Sequence, residues 1–162
     1  MLVVRRAAWG ELAAVGELTV AAYLADGLLD GPNDPYADRL RDATSRFHQA
    51  ELWVGELDGL LAGSVTFCPN GSRWAELARP GEGEFRMLAV DPARRGHGAG
   101  LALVQQSLAR SRELGYDTMV LSSLPDMAAA HRLYELVGFR RTPARDWSPV
   151  PGVQLWAFTL RL

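Results

Sequence analysis

The stretch Phe85-Arg86-Met87-Leu88-Ala89-Val90-Asp91-Pro92-Ala93-Arg94-Arg95-Gly96-His97-Gly98-Ala99-Gly100 decides how this chain is read. Its first half is a short apolar run broken only by Arg86, the pattern of a central strand, and Asp91-Pro92 closes it. Past Gly100, Leu101, Val104 and Leu108 recur at three- and four-residue spacing. They predict a helix from about Gly98 to Leu114, stopped by Gly115. A strand, a basic glycine-rich turn and a helix start together are a physical recipe for binding phosphate, while three glycines in five residues also suit a plain flexible turn. The first N–H groups of a helix have no internal partner, and the helix dipole adds partial positive charge there. Gly96, Gly98 and Gly100 lack a Cβ, so a diphosphate can come close to the main chain. Arg94 and Arg95 add cationic charge, and His97 adds a donor.

Two nucleotide motifs fail on this stretch. No Gly-Lys-Ser/Thr follows, so it is not a P-loop. The dinucleotide fingerprint needs glycine where Leu101 stands. Asp117 lies about where a ribose-binding acid would, but that unit normally opens its fold, and here roughly ninety residues precede it.

Outward from the centre, the chain alternates strands and helices. Leu2 to Arg5 reads as a strand. Leu12, Val15, Leu18 and Ala22 form a helix stripe ending near Gly27, and a polar loop runs from Asp26 to Asn33. Asp34-Pro35 opens a second helix, with Leu40, Ala43 and Phe47 on its buried face. Leu52 to Val54 and Leu60 to Phe67 flank Asp58-Gly59, a hairpin turn. After a loop from Pro69 to Gly83 comes the quoted strand and its helix. Thr118 to Leu121 is a buried strand. Asp126 caps a helix whose inner face is Ala130, Leu133 and Val137 and whose end is Gly138. Two more strands lie around Phe139-Arg140 and Val153 to Leu160. The sum is a mixed α/β sheet covered by helices.

Length and composition bound the rest. At 162 residues the chain suits a single domain spanning 1–162. A net charge of −2 is no footprint for a nucleic-acid binder. The single cysteine, Cys68, cannot form an internal disulfide. It ends the run Ser64-Val65-Thr66-Phe67 and reads as a small buried side chain. No stretch has the ~18 apolar residues of a membrane span, and cytoplasmic location is the expectation. His48, His97 and His131 lie in different elements without metal-ligand spacing, so no metal is expected. His131 reads as a surface or cap residue.

Arg95-Gly96-His97-Gly98-Ala99-Gly100 matches the R/Q-x-x-G-x-G/A signature of the GNAT acyl-CoA N-acyltransferase superfamily. Met87 to Pro92 is similar to that family's fourth strand. Ala130-His131-Arg132-Leu133-Tyr134 followed by Gly138-Phe139 is similar to its A-x-x-L-Y-x-x-x-G-F segment. The element order agrees as well, so the resemblance covers nearly the whole chain. It implies a splayed mixed sheet with about four helices, two on each side, and a bulge where the fourth and fifth strands part. It also implies acetyl-CoA as cosubstrate. Arg95, Gly96, His97, Gly98, Ala99 and Gly100 would hold the diphosphate. Leu88, Ala89 and Val90 would pair through their main chain with the pantetheine arm. A main-chain N–H near Leu88 would face the thioester oxygen.

Tyr134 is, by the resemblance, the general acid for the departing thiolate. A phenol near pKa ~10 protonating a thiolate near ~8.5 runs uphill by about 2 kcal/mol. Glu84, at the start of the central strand, stands where several relatives carry a catalytic glutamate. A solvated strand-end charge explains it equally well. Removing a proton from a lysine-type amine at pH 7 costs roughly 4.6 kcal/mol, but only about 1.4 kcal/mol from an α-amino group. A base of pKa ~4.3 therefore needs burial or a water relay. Many relatives place Asn where Met127 stands, so that contact is missing here.

The expected activity is direct acetyl transfer from acetyl-CoA to a primary amine, the acceptor being a small molecule. A protein or peptide amine and a non-catalytic acyl-CoA sensor are the alternatives. Asp26, Asp30 and Asp34 would attract a cationic amine, or serve as one cap and two turn residues. Trp147 to Gly152 would wall the acceptor pocket, or simply form a rigid turn. A homodimer is common in such families, and no feature here demands one.

Overall fold

The computed structural model describes residues 1–162. Seven strands, β1 (Leu2–Arg6), β2 (Glu51–Leu57), β3 (Leu60–Cys68), β4 (Glu82–Val90), β5 (Thr118–Ser123), β6 (Arg140–Arg141) and β7 (Trp156–Arg161), form one sheet in the order β1-β2-β3-β4-β5-β7-β6. Every pairing is antiparallel except β4 with β5. That parallel ladder runs only from Glu82 to Glu84 against Thr118 to Val120. Beyond it the strands part, and the rest of β4 has no partner on its β5 side.

The parting coincides with a bulge. Thr66 faces Arg86 and Ser64 faces Ala89, so Met87 and Leu88 together oppose Val65. Met87 takes φ +54°, a left-handed conformation costing a non-glycine residue of order 1–3 kcal/mol. A bulge bends the strand and re-aims its side chains. Arg86 and Met87, neighbours in sequence, both reach the Trp74 side of the sheet, whereas Phe85 and Leu88 pack on the other.

Five α-helices cover the faces: α1 (Leu12–Ala25), α2 (Pro35–Arg41) and α3 (Ala43–Gln49) on one, α4 (Ala99–Glu113) and α5 (Ala128–Val137) on the other. The largest core cluster joins Val65, Phe67, Phe85, Leu103, Met119, Tyr134 and Phe158 under α4 and α5. Gly16 lets α1 cross the end of α2, since a Cβ there would sit 2.3 Å from the Arg41 carbonyl oxygen.

The expected second helix, from Asp34 through Phe47, is two. Asp42 takes ψ 61°, which breaks the ladder, and its side chain caps α3 by accepting from Ser45 N–H at 3.1 Å. One face therefore carries three helices rather than two. Asp34 caps α2 as read, accepting from Tyr36 N–H at 2.9 Å. α5 starts after Met127 with no side-chain cap from Asp126. Its deepest residues are His131 and Tyr134, while Ala130, Leu133 and Val137 are half-buried.

Arg46 is fully buried with no carboxylate partner. It donates to the Leu40 carbonyl at 2.6 Å and to Thr66 Oγ1 at 3.2 Å, tying α2 and α3 to β3 beside the bulge. Burial pushes its guanidinium down to about 10. No helix is long and apolar enough to cross a membrane.

Candidate active site

The turn between β4 and α4 is built to expose amides. Asp91 opens it by accepting from Ala93 N–H at 3.0 Å, and its carboxylate pairs with Arg94. Gly96 and Gly98 take φ +84° and +86°, values cheap only for glycine, and Gly98 serves as the N-cap of α4. The main-chain N–H groups of Gly96 through Leu101 have no partner within the chain. A Cβ on Gly96 or Gly98 would meet open space, so both are required by conformation and not by crowding.

The two arginines are less free than their sequence position suggests. Arg94 is held by Asp91. Arg95 binds Asp26 at the end of α1, Nη1 to Oδ1 at 2.6 Å, and reaches the Val90 carbonyl at 3.4 Å. His97 turns Nδ1 back toward the Arg95 carbonyl at 3.0 Å. Positive potential at this turn comes chiefly from the helix start.

A cavity of about 570 Å3 opens where β4 and β5 diverge. Phe85, Met87 and Leu88 form its β4 wall, Leu121 to Ser123 its β5 wall, and Tyr134 and Met127 its α5 side. Tyr23, Leu28 and Tyr36 close the helical end, and Pro149, Val150, Val153 and Leu155 form the roof. The loop after Trp147 thus walls the cavity. Trp147 anchors it by donating from Nε1 to Ser122 Oγ at 2.9 Å.

Tyr134 is 4% exposed, its ring edge-on to Phe85 and Phe139. Burial pushes its phenol well above the ordinary tyrosine value, so it holds its proton across the neutral range. Leu88 shares the cavity with it, and Ala89 and Val90 continue the unpaired edge toward the glycine turn. The structure therefore places Tyr134 and Leu88 on one cavity, with the Arg95–Gly100 turn beyond the unpaired end of β4 and outside the cavity lining.

Glu84 stands apart from the cavity lining. It is fully buried, and its Oε1 accepts from Glu76, Leu77 and Ala78 N–H at 2.9–3.0 Å. Burial raises its carboxyl above the usual range despite those donors. It fixes the loop that carries Glu76 into the cavity. Cys68 is buried, its thiol pushed far up by desolvation, and is no nucleophile.

The three loop aspartates do not face the cavity. Asp26 holds Arg95, and Asp34 accepts from Tyr36 and Asp30 N–H groups. The charged lining is instead Arg39, Glu76 and Arg86. Arg86 pairs with Glu76 at 2.7 Å, and both arginines lie over the Trp74 ring, at 5.1 and 5.4 Å.

Ser123 was missed in the sequence, and His131, expected at the surface or as a cap, is buried in α5. Ser123 Oγ lies 3.0 Å from His131 Nε2, both buried, with the imidazole stacked on Trp156. The signal was available: His131 precedes Tyr134 by three positions and so shares its helix face.

The acetyltransferase (GNAT) family model matches residues 17–139. The chain is 30% identical, over 85% of its length and 82% of the relative's, to an uncharacterised N-acetyltransferase of Schizosaccharomyces pombe. It is 33% identical over 75% of its length to a mycothiol acetyltransferase of Cellulomonas flavigena, of which it spans only 39%. Its fold superposes with a TM-score of 0.61, at 26% identity, on a GNAT-family acetyltransferase of Brucella melitensis in complex with acetyl-CoA, covering 86% of this chain and 83% of that one.

Proposed function

Because the chain belongs to the acetyltransferase (GNAT) family, we propose that it transfers an acetyl group from acetyl-CoA to the primary amine of a small molecule by direct attack. The observation that carries this is a cavity lined by Leu88 on the unpaired β4 edge and by the buried phenol of Tyr134, with unpartnered amides at the α4 start past the end of that edge.

The residues present fit acetyl-CoA. Gly96 through Leu101 offer N–H groups to a diphosphate without competition. Leu88, Ala89 and Val90 offer main-chain groups to an extended amide-bearing arm, as a neighbouring strand would. The bulge at Met87 frees the Leu88 backbone from the regular β3 register, and a main-chain N–H there would face the thioester oxygen of bound acetyl-CoA. Acetyl-CoA supplies an activated acyl group. Tyr134 gives a proton to the leaving sulfur; burial keeps the phenol protonated beforehand and makes that transfer further uphill than for an ordinary tyrosine.

The walls favour a compact acceptor with apolar bulk. Tyr23, Leu28, Val150 and Leu155 provide the apolar surface, while Arg39, Glu76 and Arg86 give polar footholds. The experiment is a screen of polyamines, aminoglycosides, amino acids and peptides with acetyl-CoA, read by release of free thiol. Turnover with a small amine and not with peptides supports the reading; transfer confined to peptides or proteins contradicts it.

A further inference from the structure

Attack by an amine leaves a proton on nitrogen, and a group on the cavity wall must take it. Glu84 does not line the cavity, and its Oε1 is committed to three amides. Glu76 does line it but is bound to Arg86. The remaining pair that joins the wall to a basic nitrogen is Ser123 and His131. Ser123 lines the cavity at the end of β5, beside Met127 and across from Leu88. Its Oγ approaches His131 Nε2 at 3.0 Å.

The surroundings fix the imidazole. It stacks on Trp156 at 5.6 Å between ring centroids and lies 4.9 Å from Phe158. The Leu124 main chain lies on the side that favours its charged form. In the tautomer that carries its proton on Nδ1, Nε2 accepts from the Ser123 hydroxyl, whose other acceptor within reach is Met127 Sδ at 3.4 Å. The charged groups facing it are Glu135 on its own helix and Arg141 of β6. Arg141 is bound to Asp146 at 2.7 Å and lies over Trp156 at 4.5 Å. Burial outweighs these and keeps the imidazole neutral, ready to accept.

We propose that Ser123 and His131 form a proton relay for the acceptor amine, with Ser123 as the catalytic residue and His131 acting through it. This rests on the acetyl-transfer reading above. As the amine nitrogen bonds to the acetyl carbon, its proton passes to Ser123 Oγ while the Ser123 proton passes to His131 Nε2, leaving an imidazolium. The carbon–sulfur bond then breaks and Tyr134 protonates the sulfur. The imidazolium proton returns to the Tyr134 phenolate through water. Acetyl-CoA and amine become amide and CoA, with no proton left over.

The test uses hydroxylamine, which is small enough to enter any acceptor pocket, with calorimetry confirming acetyl-CoA binding by every variant. Ser123→Ala and His131→Asn are each expected to lower kcat about 100-fold at an unchanged KM for acetyl-CoA. The double variant is expected to be no slower than the slower single. Wild-type kcat at saturating hydroxylamine is expected to rise with pH along the titration of His131 followed by 15N NMR, and that limb is lost in both singles. The same spectra are expected to show an Nδ1–H tautomer. An Nε2–H tautomer, unchanged rates, or an acetyl adduct on Ser123 in the absence of acceptor overturns the relay. Ser123→Ala, the milder change, decides if His131→Asn fails to fold. Variants as fast as a turning-over wild type sink the relay alone. A wild type that binds acetyl-CoA yet accelerates no transfer sinks the acetyl-transfer reading and the relay with it.

Discussion

Tyr134 of α5 meets Phe85 of β4 edge-on, ring centroids 5.8 Å apart, just past the last residue at which β4 pairs with β5. The aromatic contact holds the phenol in the cleft, and the phenylalanine analogue keeps the same ring. Tyr134→Phe should therefore fold normally and bind acetyl-CoA within about twofold of wild type, while kcat falls about 100-fold or more. Steady-state kinetics beside a calorimetric Kd would check this. A kcat unchanged across pH would remove the acid role.

Gly98→Ala tests the amide cradle. The position has room for a methyl group but sits at φ +86°, so the cost is conformational, about 1–2 kcal/mol. The α4 start should relax away from the geometry that presents its N–H groups. The Kd for acetyl-CoA should rise about tenfold or more, with the fold retained by circular dichroism.

Glu84 separates structural from catalytic use of one carboxylate. Glu84→Gln keeps an acceptor for the three amides of residues 76–78, and transfer should stay within about threefold of wild type, whereas loss of a true base costs 100-fold or more. Glu84→Ala should cost about 3 kcal/mol or more in urea unfolding. Since the folded carboxyl titrates above its unfolded value, its favourable contribution is full at acid pH. Wild type should lose stability relative to the Gln variant as pH rises through that raised value.

The reverse sign applies to His131. Its folded value is depressed by burial, so its contribution to stability is present above the unfolded value of about 6.5 and fades as pH falls below it. Comparing urea midpoints of wild type and His131→Asn between neutral and mildly acid pH should show the gap closing on the acid side. A gap independent of pH would mean the imidazole is not held neutral.

Much of the fold was legible because its signals are local. Alternation and turn residues marked the hairpin at Asp58-Gly59, and the three-glycine turn located the α4 start. The Ala130-to-Phe139 segment placed Tyr134 on the following helix, but by likeness to a family and not by spacing alone. The break at Asp42 was hidden because the residue suits both a helix and a cap, and its backbone angle decides. The partners of charged groups were equally hidden. Nothing near Asp26 in sequence announces Arg95, 69 residues away, and nothing near Glu84 shows that its carboxylate faces amides rather than solvent. The Ser123–His131 bond depends on how β5 meets α5, which only the packed chain reveals.

The most direct measurement is isothermal titration of the folded chain with CoA and with acetyl-CoA, NAD serving as the control. One site is expected for both thioester and free thiol, with heat that weakens in Gly98→Ala and none with NAD. Association of NAD in place of CoA, or of neither CoA form, would contradict it.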